Sequence, residues 1–566
     1  MARAYRRVCS RCLFLSVKHE TAFPMKKIIF LLLVLVSAHP LFGQLRNDCT
    51  WVLGYPTLIP GQPNTEEFGG MYMKFGGNGY SIEKFDIFGG PISAVANDDN
   101  GALLFYTNGC SIFNKQNEVM ENGDEINLGS SNYEQECYEY SGLFYIRSGN
   151  MTLPVPDDPN RQVLLHTRGI STSDTNVYDA IFDRLLFTEI DVQANNGLGK
   201  VIQKNQTIVA DSLHDAIAAV RHGNGRDWWV VMPRGENRQF WKMLLTPEGF
   251  KEPVLQTLPP PYPPFNIKGY LNIDVPPFLL EIIPDEYGYE SWAGQAIFSP
   301  DGTKYCRVIR SSGVEVFDFD RCSGEMTFRR YIPLPPYSAY PEEHIVACGL
   351  AISPNSRYLY FNNNEGLYQF DLCEESIENG EYELIEEWDR FLDEGFFATN
   401  FFQMRNAPDG KIYINPANST RYIHVIHEPN KAGKACNFEQ RGVILPRWSD
   451  FVINYFPNFN LFDFKDSPCD TLGIDDPNPP QPTYTFEEFR VFPNPANHEV
   501  MLFVPQCEGI RIQIWNIAGQ ITEEIPFIPS MEAYPLDVSD WAAGAYIIAA
   551  YIDAQKPVMK KIIVVH

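Results

Sequence analysis

Histidine, cysteine and paired acids are the side chains of this 566-residue chain best suited to metal or acid–base chemistry. His424 and His427 are three apart, in and beside the strand-like run Tyr422 to Ile426. In a strand that spacing puts them on opposite faces, so they read as surface or turn residues rather than zinc ligands. His214 and His222 flank a short apolar stretch and have no Cys or Glu at ligand spacing. A Gly-x-Ser-x-Gly elbow, a phosphate loop and an HExxH helix are all missing from the sequence. Asp98/Asp99 and Asp157/Asp158 stand in turn-like segments. Calcium is the one cofactor such oxygens would take, and solvated turn carboxylates are the default. No catalytic residue and no metal ligand is assigned.

The compartment comes next. Met25-Lys26-Lys27 is a short basic head, Ile28 to Ala38 is almost unbroken apolar chain, and His39 to Gln44 is a polar exit. That is the pattern of a secretory signal over 25–44, within a leader of 1–44 whose true start is Met25. The apolar run is too short to span a bilayer, so no membrane span is expected in the mature chain. Removing 1–44 takes away seven basic groups and one acidic group, and the net charge moves from −26 to −32. Such a surface repels nucleic acid. Ten cysteines remain, none of them in a CxxC pair, which in an exported chain favours disulfides. The expected pairs are Cys110 with Cys137, Cys322 with Cys348, Cys373 with Cys436, and Cys49 with Cys469 tying the ends of the large domain together.

Aromatic residues make up 14% of the chain beside 40 Gly and 43 Pro, a mixture that favours short strands and many turns. One pattern occurs three times. Phe298-Ser299-Pro300-Asp301-Gly302, Ile352-Ser353-Pro354-Asn355-Ser356 and Ala407-Pro408-Asp409-Gly410 each precede a strand-like run. Proline presets its own φ and glycine tolerates positive φ, so each reads as the turn of a hairpin. Gly313 to Phe319 and Gly366 to Leu372 continue the first two copies in parallel. Looser copies begin at Asp98, Asp157 and His222. Repeats of this length suit the four-stranded blades of a ring, whose inner strands are covered on both faces and need be apolar nearly throughout. Trp228 to Met232 and Ala102 to Tyr106 meet that demand. We expect an all-β chain: a β-propeller over 45–470, of seven blades or alternatively six, then a small C-terminal β-sandwich. A shared blade of Trp51–Gly54 and Phe451–Phe456 is expected to close the ring.

The run Leu104 to Gly109, the later Asn117 to Gly123 and the Ser-Pro-Asp-Gly repeats resemble secreted propeller-like proteins of Bacteroidetes. The resemblance covers roughly 48–466 and implies a binding or scaffold role without a shared catalytic set. Kinship with WD40-like propellers is one of fold, and the Trp-Asp ending of WD40 blades is missing here. Residues 253–290 interrupt the rhythm with Pro259 to Phe265, a polyproline stretch read as a loop packed across one face. Asp211-Ser212-Leu213 and Asp470-Thr471-Leu472 resemble a Bacteroidetes O-glycosylation pattern.

A polar, proline-rich linker over 471–485 leads to a module over 486–566. Its landmarks are Val491 to Ala496, Ile512 to Gln520, Ala543 to Ile548 and Lys560 to His566. Alternating strands separated by turns at Asn494-Pro495, Ala518-Gly519 and Ala543-Gly544 read as a compact sandwich. In this order the segments resemble the type A C-terminal sorting domain of the type IX secretion system. The resemblance carries the sorting signal to Pro493, Asn494, Pro495, Gly519, Gly544, Tyr546 and Lys561. It implies passage through the periplasm, recognition by the type IX machinery, and delivery to the cell surface or medium.

Two functions fit. One is a non-enzymatic binding or scaffold protein with an extracellular ligand, a glycan or a protein, on the loop face or in the central channel. The other is a propeller hydrolase or lyase acting on polysaccharide. Converging carboxylates or histidines in the channel would favour the second.

Overall fold

In the computed structural model of the protein, each copy of the repeated turn joins the first strand of a sheet to the second. The peptide nitrogens of Gly302, Ser356 and Gly410 close the turn on the carbonyls of Ser299, Ser353 and Ala407, at 2.8, 2.7 and 3.0 Å. Gly302 and Gly410 take the left-handed conformation there, at φ +74° and +78°. Ser356 holds the same position at φ 59°, a cost that glycine avoids.

The structure describes residues 45–565 outside 56–64, 77–78, 87–91, 131–132, 134–136, 138–149, 172–179, 214–215, 235–237, 259–294, 310–312, 334–348, 374–381, 451–452, 465–466, 468, 470–489, 493, 504–509, 517–518, 529–533 and 552–557. The leader, the polyproline loop, the linker, His214, Cys348 and Pro493 lie outside the described residues.

Among the described residues seven antiparallel sheets of three strands or more follow one another: sheet 1 over 50–85, sheet 2 over 94–114, sheet 3 over 151–213, sheet 4 over 218–257, sheet 5 over 296–333, sheet 6 over 350–387 and sheet 7 over 404–449, with a two-stranded ribbon, Leu392–Asp393 and Phe397–Ala398, between the last two. Strands run across each sheet in chain order, apart from Val254–Thr257, which pairs back with Gln239–Thr246. Each sheet shares an apolar cluster with the next. Val52, Val95 and Tyr106 join sheets 1 and 2, and Ala94, Phe105 and Leu164 join sheets 2 and 3. Leu153 meets Val230 between sheets 3 and 4, and Val231 meets Phe317 between sheets 4 and 5. Val316 with Leu359 and Tyr360 with Met404 continue the series to sheet 7. Tyr413 and Val425 then pack with Trp51 and Met71, bringing sheet 7 back to sheet 1. A series of sheets whose last member packs on its first is a closed ring, and the domain is a β-propeller. Both faces of the inner strands are covered, which explains apolar runs such as Tyr358–Phe361, buried throughout.

The expected shared closing blade is not formed. Trp51–Gly54 lies in the strand Thr50–Tyr55, paired with Gly69–Gly76, while residues 453–456 form no strand. Asn454 and Pro457 disfavour a ladder there. Closure comes from packing and from the end of the long strand Phe438–Ser449, where the Trp448 nitrogen donates to the Glu67 carbonyl at 2.8 Å.

Two further sheets make the tail. Arg490–Phe492, Glu499–Phe503 and Tyr534–Asp537 form one. Ile521–Ile528, Ile510–Asn516, Gly544–Tyr551 and Val558–Val564 form the other. Val500, Leu502 and Leu536 from the first and Ile512, Ile514, Ile548 and Ile562 from the second share one core. Among the described residues no helix is long and apolar enough to cross a membrane.

Candidate functional site: the ring axis and the sorting tail

Where a propeller ligand would enter, this ring holds its own chain. Tyr455 packs against the cluster of sheets 3 and 4 and against that of sheets 5 and 6. Phe456 touches the clusters of sheets 3 and 4, sheets 7 and 1, and sheets 1 and 2. One side chain reaches clusters spread so widely around a ring only near its axis. Phe459 then sits edge-on to Trp228 at 5.7 Å, and Leu461 enters the cluster of sheets 4 and 5. Asparagine side chains do the work that a strand partner would do for the backbone. Asn454 accepts from the Val52 nitrogen at 2.7 Å and donates to the Ile92 carbonyl at 3.3 Å. Asn460 pairs with both backbone groups of Leu45, at 2.7 and 3.0 Å, and Asn458 donates to the Pro300 carbonyl at 2.7 Å. Tyr455 and Phe456 thus stand at the axis, and 458–463 continue over the turns of sheets 5 and 4. Beside it stands Arg405, its guanidinium 4.5 Å from the centre of the Tyr455 ring. Burial pushes Arg405 down to about 10 and Tyr455 up to about 12.

The residues read from sequence as candidate ligands lie elsewhere. His424 is fully buried between Phe401 and Phe438 rather than on the surface or in a turn, because both faces of sheet 7 are covered. His427 bonds Glu439 at 2.8 Å. His222 bonds the Cys322 carbonyl at 3.0 Å and accepts from the Asn224 nitrogen, a turn role. Asp98 caps the nitrogens of Asn100 and Ala102, and Asp157 faces Arg226 at 3.1 Å. Among the described residues no three His, Cys, Asp or Glu side chains converge as a metal site would require.

One of the four expected cysteine pairs forms and the other three do not. Cys110 is bonded to Cys137, Cα–Cα 5.7 Å. Cys322 is bonded to Cys469, Cα–Cα 5.4 Å, so neither Cys322–Cys348 nor Cys49–Cys469 forms. The chain leaving the axis explains the change: the Phe464 nitrogen donates to the Gly223 carbonyl at 2.7 Å, bringing Cys469 to the turn that carries Cys322. Cys49 and Cys436 are free and buried, so Cys373–Cys436 does not form either; Cys373 is itself disulfide-bonded.

A cleft of about 390 Å³ opens between sheets 3 and 4, and sequence reasoning missed it. Phe187 and Phe250, centroids 5.4 Å apart, line it together with Arg161, Glu189, Gln203 and Lys251. Glu189 is buried and ion-paired with Arg161. No local pattern marks such a cleft, since its walls come from strands some sixty residues apart in the chain.

In the tail, Asn494 clamps the last strand. Its side chain donates to the Lys561 carbonyl and accepts from the Ile563 nitrogen, each at 2.9 Å. Pro495 follows through a cis peptide, and Ala496 bonds both ways with Ile563 and Val565. Gly519 adopts φ +75° in the turn from Asn516 to Gln520, where an added Cβ would meet nothing, so conformation rather than space calls for glycine. Gly544 opens a strand. Tyr546 packs on Trp541 at 4.8 Å and donates to the Ala542 carbonyl at 2.9 Å. The Lys561 side chain is exposed.

A ring of this kind with an independent core behind it defines an all-β protein that carries a separate address. Residues 490–565 match the family model described as the secretion system C-terminal sorting domain. The tail is a type IX sorting domain, and the chain is exported through that system to the cell surface or medium. No curated protein matches the chain. Among solved structures it is similar to a protein from Lactobacillus plantarum, 11% identical with TM-score 0.39, over 72% of this chain and 99% of that one. It is similar also to the periplasmic gluconolactonase of Pseudomonas aeruginosa, 15% identical with TM-score 0.34, over 72% and 99%. A third is the β-propeller domain of Cps50 (Swd1) from Myceliophteria thermophila, 8% identical with TM-score 0.30, over 66% and 94%.

Proposed function

We propose that the exported chain is a non-enzymatic binding or scaffold protein, recognised by the type IX machinery through its tail and by an extracellular glycan or protein through its ring. The axis carries this reading: the aromatic rings of Tyr455 and Phe456 stand where a propeller enzyme would gather its catalytic groups. One binding surface is the cleft of Phe187 and Phe250, whose aromatic faces and ringing charges suit a sugar. In this reading a signal peptide at 25–44 opens the route. The seven sheets over 45–470 are the blades, 471–485 is the spacer, and 486–566 is the sorting module whose signal includes Pro493, Asn494, Pro495, Gly519, Gly544, Tyr546 and Lys561. A glycan array and a polysaccharide-cleavage screen on the purified protein test it. Saturable glycan binding that weakens in Phe250→Ala, with no cleavage product, is the expected result. Turnover of any polysaccharide would replace the binding reading with a hydrolase or lyase.

A further inference from the structure

Five arginines in the described part of the ring are buried: Arg238, Arg307, Arg321, Arg405 and Arg447. Arg238 and Arg307 share the carboxylate of Glu315, at 2.7 and 2.8 Å. Arg321 donates to the carbonyls of Arg221, His222 and Phe462, at 2.9, 3.3 and 2.5 Å. Arg447 donates to those of Gly70 and Phe85, at 3.2 and 2.6 Å. Arg405 is the exception. It is 5% exposed, and among the described residues it pairs with no carboxylate and its guanidinium makes a single hydrogen bond, from Nη1 to the Met404 carbonyl at 2.9 Å. Nε is buried without a partner.

A guanidinium taken out of water is costly unless a counter-charge answers it, and stacking on Tyr455 offsets only part of that cost. The groups left over are also specific in shape. With Nη1 engaged, Nε and Nη2 remain as one edge of the planar fork, the edge that holds both oxygens of a carboxylate. Tyr455, on which the guanidinium stacks, keeps part of its surface accessible. The neighbouring backbone is held still. Gln295 donates to the carbonyls of Leu350 and Met404 and accepts from their nitrogens, which ties the starts of the inner strands of sheets 6 and 7 together. The hydroxyl of Tyr305, buried and likewise without a partner, belongs to the adjoining sheet 5.

We propose that the free edge of Arg405, beside Tyr455 on the ring axis, binds the carboxylate of a small acid. This deepens the binding reading above by naming a ligand chemistry, and it is independent of the cleft between sheets 3 and 4. The carboxylate belongs either to a short free acid or to a uronic sugar, and two probes separate these sources.

The test is calorimetric titration of the full chain with sodium acetate, sodium D-glucuronate and inorganic phosphate, at constant ionic strength. Saturable binding of acetate, glucuronate or both is expected. Arg405→Lys, which keeps the charge and loses the two-donor edge, should weaken it by about tenfold or more. Arg405→Met should abolish it while keeping the thermal midpoint equal or raising it, because an unanswered charge has been removed. Should the Met variant fail to fold, the Lys variant decides. Absence of carboxylate binding, binding of phosphate alone, or equal binding in wild type and Arg405→Lys would each overturn the proposal. A chain that binds glycans at the cleft but no carboxylate at the axis overturns this inference and leaves the binding reading standing.

Discussion

His166 and His424 are fully buried, and desolvation pushes both down to about 3. His166 is held between Asn127 at 2.5 Å and Thr188 at 2.9 Å. The folded chain keeps both rings neutral, whereas the unfolded chain takes up protons below about pH 6.5. Stability is therefore full above that value and falls as pH drops from about 6.5 toward 3, by about 1 kcal/mol per pH unit for each histidine. Asp48 works in the opposite sense. Burial raises it to about 6, so its contribution is present below its ordinary value near 4 and is lost as pH rises through 6. Two histidines outweigh one aspartate, and urea unfolding should show lower stability at pH 5 than at pH 7. His166→Gln should remove most of the fall between pH 7 and pH 5, because Asp48 then offsets much of what His424 contributes, and an unchanged slope would refute the assignment. The sequence read His424 and His427 through strand alternation, but the strand ends at Ile426. It could not show that the face carrying His424 is covered, since the cover comes from Phe401 and Phe438 on other segments.

At the scale of elements, local chemistry was the legible part. A Pro-Asp-Gly turn carries its own conformation, and every copy of it falls between the first and second strands of a sheet. The fate of the segment 453–456 was not legible in that way. Its composition suits a strand, but a strand also needs a free edge in register, which lies outside any local window. Asn454, Asn458 and Asn460 were the available signal: amides recurring among aromatics satisfy a backbone that has no ladder. Truncating the axial aromatics should loosen the whole ring. Phe459→Ala should cost about 3–5 kcal/mol in urea unfolding, and a change under about 1 kcal/mol would place Phe459 at the surface. Cys322–Cys469 closes a separation of 147 residues just beyond the axial segment. Cys469→Ser should cost about 2–5 kcal/mol. A non-reducing peptide map should yield the Cys110–Cys137 and Cys322–Cys469 peptides, and recovery of Cys49 joined to Cys469 would contradict the fold of that end.

The molecule as a whole joins an acidic ring to a separately cored sorting domain. Its charge of −26 rises in magnitude to −32 without residues 1–44, which keeps an exported protein soluble and away from nucleic acid. Both halves could be read from sequence because repeats and ordered motifs are one-dimensional signals. The occupant of the axis could not, since it depends on where the chain goes after the last blade. Deleting 486–566 should leave the protein in the periplasm, and its appearance in the medium would show that the tail is not its address. The central claim is that the ring axis holds its own Tyr455 and Phe456. Hydrogen–deuterium exchange of the peptide covering them tests it most directly. Protection equal to that of inner strands such as Leu350–Ile352 and Met404–Asn406 is predicted. Complete exchange within seconds would mean that the axis stands open.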